Sequence, residues 1–491
     1  MNGAQAVDGS GGDASTAPDA LTHPASAGTG GPLTHSLAWA TWALFVGLGL
    51  MLSGAGLFAT IIGIRSELEG FPTLAIGLVA AAYYLGFLIG SRMALAALAS
   101  VGHIRVYTAF ASILAASILF AGMVVSPWAW IAVRFVAGAC LAGQYVVAES
   151  WLNHLVTNAN RGRILSLYSM VTIVAFGLGQ VSISVIDPTT LTAFGIAAIV
   201  ISLAVSPVAL SEEAAPPIMT APSRMSMREL FAIAPTGVVT SVLVGIAHGA
   251  FLGLAAVYAT RGGLARHEIG VFIALPTVGS LLFQLPISAA SDDIDRRAVG
   301  ALAAFTAATG GVLLVIADVG SLASMGAMVL IGGTTFPLYS IAGAYTNDWV
   351  PSDQLTAAAS QLVVLFGAGA FAGPFIGSVV MSFTGNSGFA WTVVGVHVAI
   401  GCFLTVRILQ WRAPIRAKPW NEVALAGRVF YLPATAVGMG RRIRQTRDRR
   451  VPLAGPDALA NHSIERDDTG EIMVIEGWGD APPPAAPSSE I

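Results

Sequence analysis

The chain has 491 residues, of which 55% are hydrophobic and only 10% charged, with a formal net charge of -3 and a mean hydropathy of +0.74. Soluble domains carry about 25% charged residues, so this balance excludes an ordinary soluble domain and points to a polytopic membrane protein. It also excludes nucleotide hydrolysis by a P-loop, because the one lysine, Lys418, follows no glycine-rich loop.

Residues 1–35 are rich in Gly, Ala, Ser and Pro and contain no Lys or Arg. A signal peptide needs a basic start, so this stretch reads as a disordered cytoplasmic leader. Apolar runs of spanning length then occur near Leu37 to Ile64, Thr73 to Met93, Arg105 to Val125, Trp128 to Asn153, Ile164 to Ile186 and Leu191 to Leu210. Together they predict a first six-helix bundle over 36–210. A proline-rich polar linker, 211–234, follows. Six further runs near Pro235 to Tyr258, Ile269 to Ala290, Ala298 to Ala317, Leu322 to Ala344, Leu355 to Phe383 and Gly388 to Gln410 predict a second bundle over 235–410. The tail, 411–491, is expected to be cytoplasmic and mostly disordered. Its basic run Arg441 to Arg450 suits either an anionic lipid surface or a solvated end.

The expected fold is therefore an all-α membrane protein of twelve transmembrane helices in two six-helix bundles. Loops on the amino-terminal side hold Arg92, Arg105, Arg161, Arg163, Arg224, Arg228, Arg296 and Arg297, against Arg65, Arg261 and Arg266 opposite. The positive-inside bias thus places both termini in the cytoplasm of a cell with this protein in its inner membrane. The halves also look like copies. An offset of 193 positions carries Gly77 onto Gly270 and Gly86 onto Gly279, and a similar offset carries Gly179 onto Gly373. Such repeats are expected of a transporter built from two related bundles.

The fourth run, WAWIAVRFVAGACLAGQYVVAESWLN, carries Arg134 within its apolar stretch. A guanidinium at that depth costs about 2.5–3.5 kcal/mol or more, so it should face a hydrated or protein-lined interior. At 100° per residue Gly138, Leu141 and Tyr145 share its face. Other polar or aromatic groups suited to line a substrate cavity are Ser53, Tyr83, Tyr84, Gln144, Gln180, Gln284, Tyr339 and Gln361. His248, on one face with Ser241 and Phe251, and His397 are the histidines within the spans that could carry a coupling proton. Cys140 and Cys402 are isolated, with no metal-ligand spacing, and no cofactor or metal is expected.

The loop QLPISAASDDIDRR, with Asp292, Asp295, Arg296 and Arg297, resembles the loop signature of the major facilitator superfamily. The matching loop after the second helix departs from that pattern: Ala99 stands where an acidic residue would align, leaving His103 and Arg105. Arg134 to Gly138 is similar to the family's Arg-x-x-Gln-Gly pattern, with Ala137 in place of glutamine. Gly369, Gly373, Pro374 and Gly377 are spaced as in the family's antiporter glycine motif but sit in the eleventh helix, where packing explains them. Glu149-Ser150-Trp151-Leu152-Asn153, followed by Asn160 to Arg163, resembles one branch of the superfamily.

The resemblance implies a secondary transporter of a small organic solute or drug-like compound, working by alternating access. The partners it implies are that substrate and membrane lipid, with protons as a candidate coupling ion, and no nucleic acid. It further implies that Glu149 pairs with Arg105 or Arg163, and Asp348 with Arg296, holding a cytoplasmic gate closed in the outward-facing state. A non-transporting membrane sensor and a lipid-handling protein are the alternatives on the same fold. No enzymatic constellation of nucleophile, base and metal is present.

Overall fold

The computed structural model describes residues 33–155, 161–210, 225–351, 354–410, 464–466 and 472–474. The leader, most of the central linker and the basic run Arg441 to Arg450 lie outside the described residues, as do the side chains of Asn153, Arg161 and Arg163.

Among the described residues twelve helices are long and apolar enough to cross a membrane. The first half comprises α1 (Leu33–Leu68), α2 (Thr73–Val101), α3 (His103–Met123), α4 (Pro127–Leu155), α5 (Arg161–Val181), α6 (Leu191–Leu203) and α7 (Val205–Ala209). The sixth span is the pair α6 and α7, which meet at Ala204. The short α8 (Met227–Ile233) is capped by Ser226, whose hydroxyl accepts from the Glu229 amide. The second half follows as α9 (Pro235–Arg261), α10 (Arg266–Asp293), α11 (Arg296–Ile316), α12 (Leu322–Asn347), α13 (Leu355–Thr384) and α14 (Ser387–Gln410). In the carboxyl-terminal unit, β1 (Ile464–Arg466) and β2 (Ile472–Val474) form an antiparallel pair.

The helices form two bundles. In the first, α2 packs along α4 and α1 along α5; in the second, α10 packs along α12 and α9 along α13. Glycines make these seams close. A Cβ on Gly86 would run into the Phe135 carbonyl, and one on Gly138 into the Tyr83 carbonyl. In the second bundle the same contacts recur between Gly279 and the Val329 carbonyl, and between Gly332 and the Pro276 backbone. Each residue lies 193 or 194 positions beyond its counterpart. The α1–α5 seam repeats likewise: Gly179 faces the Ser53 carbonyl, and Gly373 the Ile246 carbonyl. Even the turns correspond, since Gly70 and Gly263 take positive φ, 68° and 79°, just beyond α1 and α9. The internal repeat is thus a repeat of backbone contacts. The glycines of the eleventh helix are packing residues, with Gly369 against Val242 of α9.

The bundles meet along α2 with α13, α5 with α10, and α1 with α9. Two of these contacts are related by the same offset with the partners exchanged. Gly77 of α2 receives Ser378 of α13, and Gly270 of α10 receives Ser184 in the short 3-10 turn just after α5. That exchange is what a pseudo-twofold axis between the halves requires.

Candidate functional site

Polar contacts between the bundles cluster at the end bearing the α1–α2 and α9–α10 turns. Arg261 at the close of α9 reaches Glu67 at the close of α1, Nε to Oε1 2.8 Å, and donates to Thr73 Oγ1 at 3.0 Å. The second Glu67 oxygen is buried with no partner among the described residues. Beside them Arg266 lies 3.8 Å from Asp187, and Ser184 donates to the His267 carbonyl. Asp187 is held below the usual carboxylate range, first by the Thr189 amide, then by the Thr189 hydroxyl.

Beneath this closed end lies a cavity, part of it open to solvent, bounded by α1, α2, α3, α4 and α5 on one side and α9 and α10 on the other. Arg134 enters it from α4, only 8% exposed. Its guanidinium carbon sits 4.4 Å from the Tyr83 ring centre and 5.6 Å from that of Phe58. These aromatic faces offset part of the cost of burying the charge, by about 0.5–2 kcal/mol. Among the described residues the guanidinium has no hydrogen bond or ion pair, and its Nε is buried and unsatisfied. A buried donor without an acceptor is costly enough to need an explanation.

The residues predicted to line the site divide. Arg134, Tyr83, Tyr84 and Gln180 do line it, joined by Leu141. Gly138 and Tyr145, placed on the same face by helical periodicity, do not. Gly138 is taken up by the α2 backbone, and the Tyr145 ring packs 6.0 Å from Phe87 of the same helix. Ser53 donates to the Ala175 carbonyl across the α1–α5 seam. Gln144 is fully buried with neither amide atom satisfied among the described residues. Gln284 contacts Ser340, Tyr339 packs on Phe366, and Gln361 donates to the Met225 carbonyl ahead of α8. His248, expected on the cavity wall, is enclosed by Phe336 and Phe366, with Nδ1 on the Val244 carbonyl. His397 is fully buried between Thr335 and the Val393 carbonyl. Sequence reasoning missed Phe58 and Phe176 on the wall, because an apolar residue facing a cavity reads like one facing lipid; Phe251, placed with His248 on one face, does line it.

The loop charges are tightly organised. Arg296 Nε donates to Asp348 Oδ2 at 2.8 Å, and its Nη1 lies 3.2 Å from Asp292. Asp295 caps α11 and binds Arg297 at 2.7 Å, while Arg297 also donates to the Arg407 carbonyl. The Asp348–Arg296 pair implied by the family resemblance is therefore present. It joins α11 to α12 inside one bundle, so it cannot by itself clasp the two bundles together. Glu149 accepts from Tyr168 at 3.2 Å. Arg105 is exposed and enters no ion pair among the described residues, and the Arg163 side chain lies outside them.

Two related six-helix bundles closing on a cavity at their pseudo-twofold axis decide the architecture. The fold is the major facilitator fold. A family model described as Major Facilitator Superfamily matches residues 237–447. The chain is similar to "Uncharacterized MFS-type transporter YcaD" of Escherichia coli O7:K1 (strain IAI39 / ExPEC), 28% identical over 389 residues, covering 77% of this chain and 97% of that protein. The Escherichia fergusonii protein of the same name is 27% identical over 343 residues, 69% of this chain and 88% of that one. Among solved structures, nucleoside transporter NupG superposes with a TM-score of 0.62 at 14% identity, over 76% of this chain and 99% of that one. A bacterial homologue of the human lysosomal transporter Spinster, inward-facing and unoccupied, gives a TM-score of 0.60 at 14% identity, over 76% and 95%. At that identity the structures speak for the fold alone. The family model thus matches the second half of the chain, and the relatives, at 27–28% identity, are named as transporters of the same superfamily.

Proposed function

We propose that the protein is a secondary transporter that carries a small organic solute by alternating access, with both termini in the cytoplasm of a bacterial inner membrane. The observation that carries this reading is Arg134, a buried cation with no acceptor among the described residues, set in a cavity between the bundles. Its two-pronged donor edge suits an anionic or carbonyl-bearing part of a substrate. In the orientation favoured by the basic loops, the end closed by Glu67, Arg261 and the Gly77 contact faces outward. The cavity would then belong to an inward-facing state, and the bundles would rock about it.

Loop residues Asp292, Asp295, Arg296, Arg297, Glu149, Arg105 and Asp348 would form the cytoplasmic face of the gate, each half rigid within itself. Protons are the candidate coupling ion, with His248 as the group carried forward, since its Nε2 is buried without a partner among the described residues. The test is Arg134→Ala, which should abolish transport in proteoliposomes while the protein stays monodisperse in detergent. Full transport by that variant removes Arg134 from the site.

A further inference from the structure

The Arg134 cavity is more selective than a generic solute site. Among the described residues its wall holds one cation and no carboxylate. The polar side chains beside Arg134 are Thr60, whose hydroxyl is already spent on the Gly56 carbonyl, Gln180, and the tyrosines 83 and 84. The rest is apolar, with Phe58, Phe176 and Phe251 adding flat surface from both bundles. The guanidinium carbon lies 4.4 Å from the centre of the Tyr83 ring, a cation–π contact that holds the charge at this place in the wall.

We propose that this cavity takes aromatic monocarboxylates, a deepening that rests on its being the transport site. A single carboxylate would meet the guanidinium edge in bidentate fashion and cancel its charge. A dianion would bring a second charge into an apolar wall with nothing to pair it, which is strongly unfavourable. A zwitterion would bring an ammonium where no lining carboxylate can receive it. A cation would be repelled outright. A neutral amide keeps the shape and one carbonyl but leaves Arg134 uncompensated. Tyr83 acts as a positioning residue: its ring holds the cation in place, so removing the ring matters and removing its hydroxyl alone does not.

The experiment measures binding rather than flux. The purified full chain in detergent is titrated with cinnamate, cinnamamide, phenylalanine, phthalate and phenethylammonium, and thermal stabilisation gives an apparent Kd for each. Cinnamate should bind at least tenfold tighter than the other four. Arg134→Gln should erase the preference of cinnamate over cinnamamide. Tyr83→Leu should weaken cinnamate, and Tyr83→Phe should restore it. Equal binding of amide and carboxylate, tighter binding of the zwitterion or dianion, or no cinnamate binding by the wild type overturns the proposal, and the wild-type series decides this even where a variant fails to fold. Proteoliposomes separate the two readings. Flux of another solute with no cinnamate binding sinks the substrate class alone, whereas cinnamate binding without flux of any tested solute sinks the transporter.

Discussion

Arg261→Gln probes the closed end of the bundles. In the wild type the Arg261 and Glu67 side chains are 19% and 22% exposed and meet at 2.8 Å. The other Glu67 oxygen is already buried without a partner among the described residues. Removing the arginine strands a carboxylate in a partly dry interface, and such a loss costs about 1–3 kcal/mol. Partial solvent screening argues for the lower part of that range, roughly 1–2 kcal/mol. The cost falls only on the conformation in which the bundles touch at this end, so the ratio of closed to open should drop about 5–30-fold. Spin labels at Leu68→Cys and Leu322→Cys, both exposed at this end and one in each bundle, read that ratio by electron double resonance. The exposed Cys402 is replaced by serine beforehand; Cys140 is buried. The labelled distance should lengthen in Arg261→Gln and return in the charge-exchanged pair Glu67→Arg with Arg261→Glu. Arg266→Ala should move it little, because that pair is 3.8 Å apart and nearly half exposed on both sides. Identical distance distributions in wild type and Arg261→Gln, or an equal shift from Arg266→Ala, would refute this account of the closed end.

The same labels should report opening in Gly77→Val, since a Cβ there runs into Ser378 and lies 2.8 Å from the Pro374 carbonyl of the other bundle. Gly138→Val meets the Tyr83 carbonyl inside one bundle and should instead lower the yield of folded protein. Asp292→Asn should slow turnover more than it weakens ligand binding, and Asp348→Asn should do more damage. Arg296 is only 3% exposed, and losing the charge of its 2.8 Å partner leaves it the longer Asp292 contact at 3.2 Å, a loss of about 1–3 kcal/mol; unchanged turnover in both variants would remove the loop from the gate. The depressed Asp187 carboxyl gives a pH prediction. A carboxyl whose folded value lies below its unfolded one contributes above the unfolded value and loses that contribution as pH falls through the folded one. Protection of the Thr189 amide, corrected for intrinsic exchange, should therefore persist from neutral pH to about 4 and fade only below it. Loss of protection above pH 5 would contradict the Asp187–Thr189 turn.

How much was legible beforehand differs by level, and particular residues show why. The twelve spans are set by apolar length, which is local, so they are readable from the chain. The repeat was readable too, because Gly86 and Gly279 must each admit a neighbouring backbone, and only glycine does so at that distance. The special status of Arg134 also follows from sequence, since a charge inside an apolar run needs a polar surrounding wherever it lies. The Asp348–Arg296 pair came from family resemblance rather than from any local pattern.

What the chain alone could not decide is which polar side chains share one space. Gln144, Gln284, Tyr339 and His248 have the same polar character as Gln180, yet only Gln180 lines the cavity with Arg134. Helical periodicity gives a face but not a neighbour: Gly138 and Leu141 flank the Arg134 direction, and it is the approach of α2 that takes the first and leaves the second to the cavity. The Glu67–Arg261 contact joins residues 194 positions apart, at matching places at the ends of α1 and α9, and the repeat says nothing of their opposite charges or of their meeting. Its existence depends on how the bundles lean together. Composition and periodicity act along one helix, whereas cavity walls and cross-bundle pairs arise from the packing of helices distant in sequence, so only the tertiary structure could supply them.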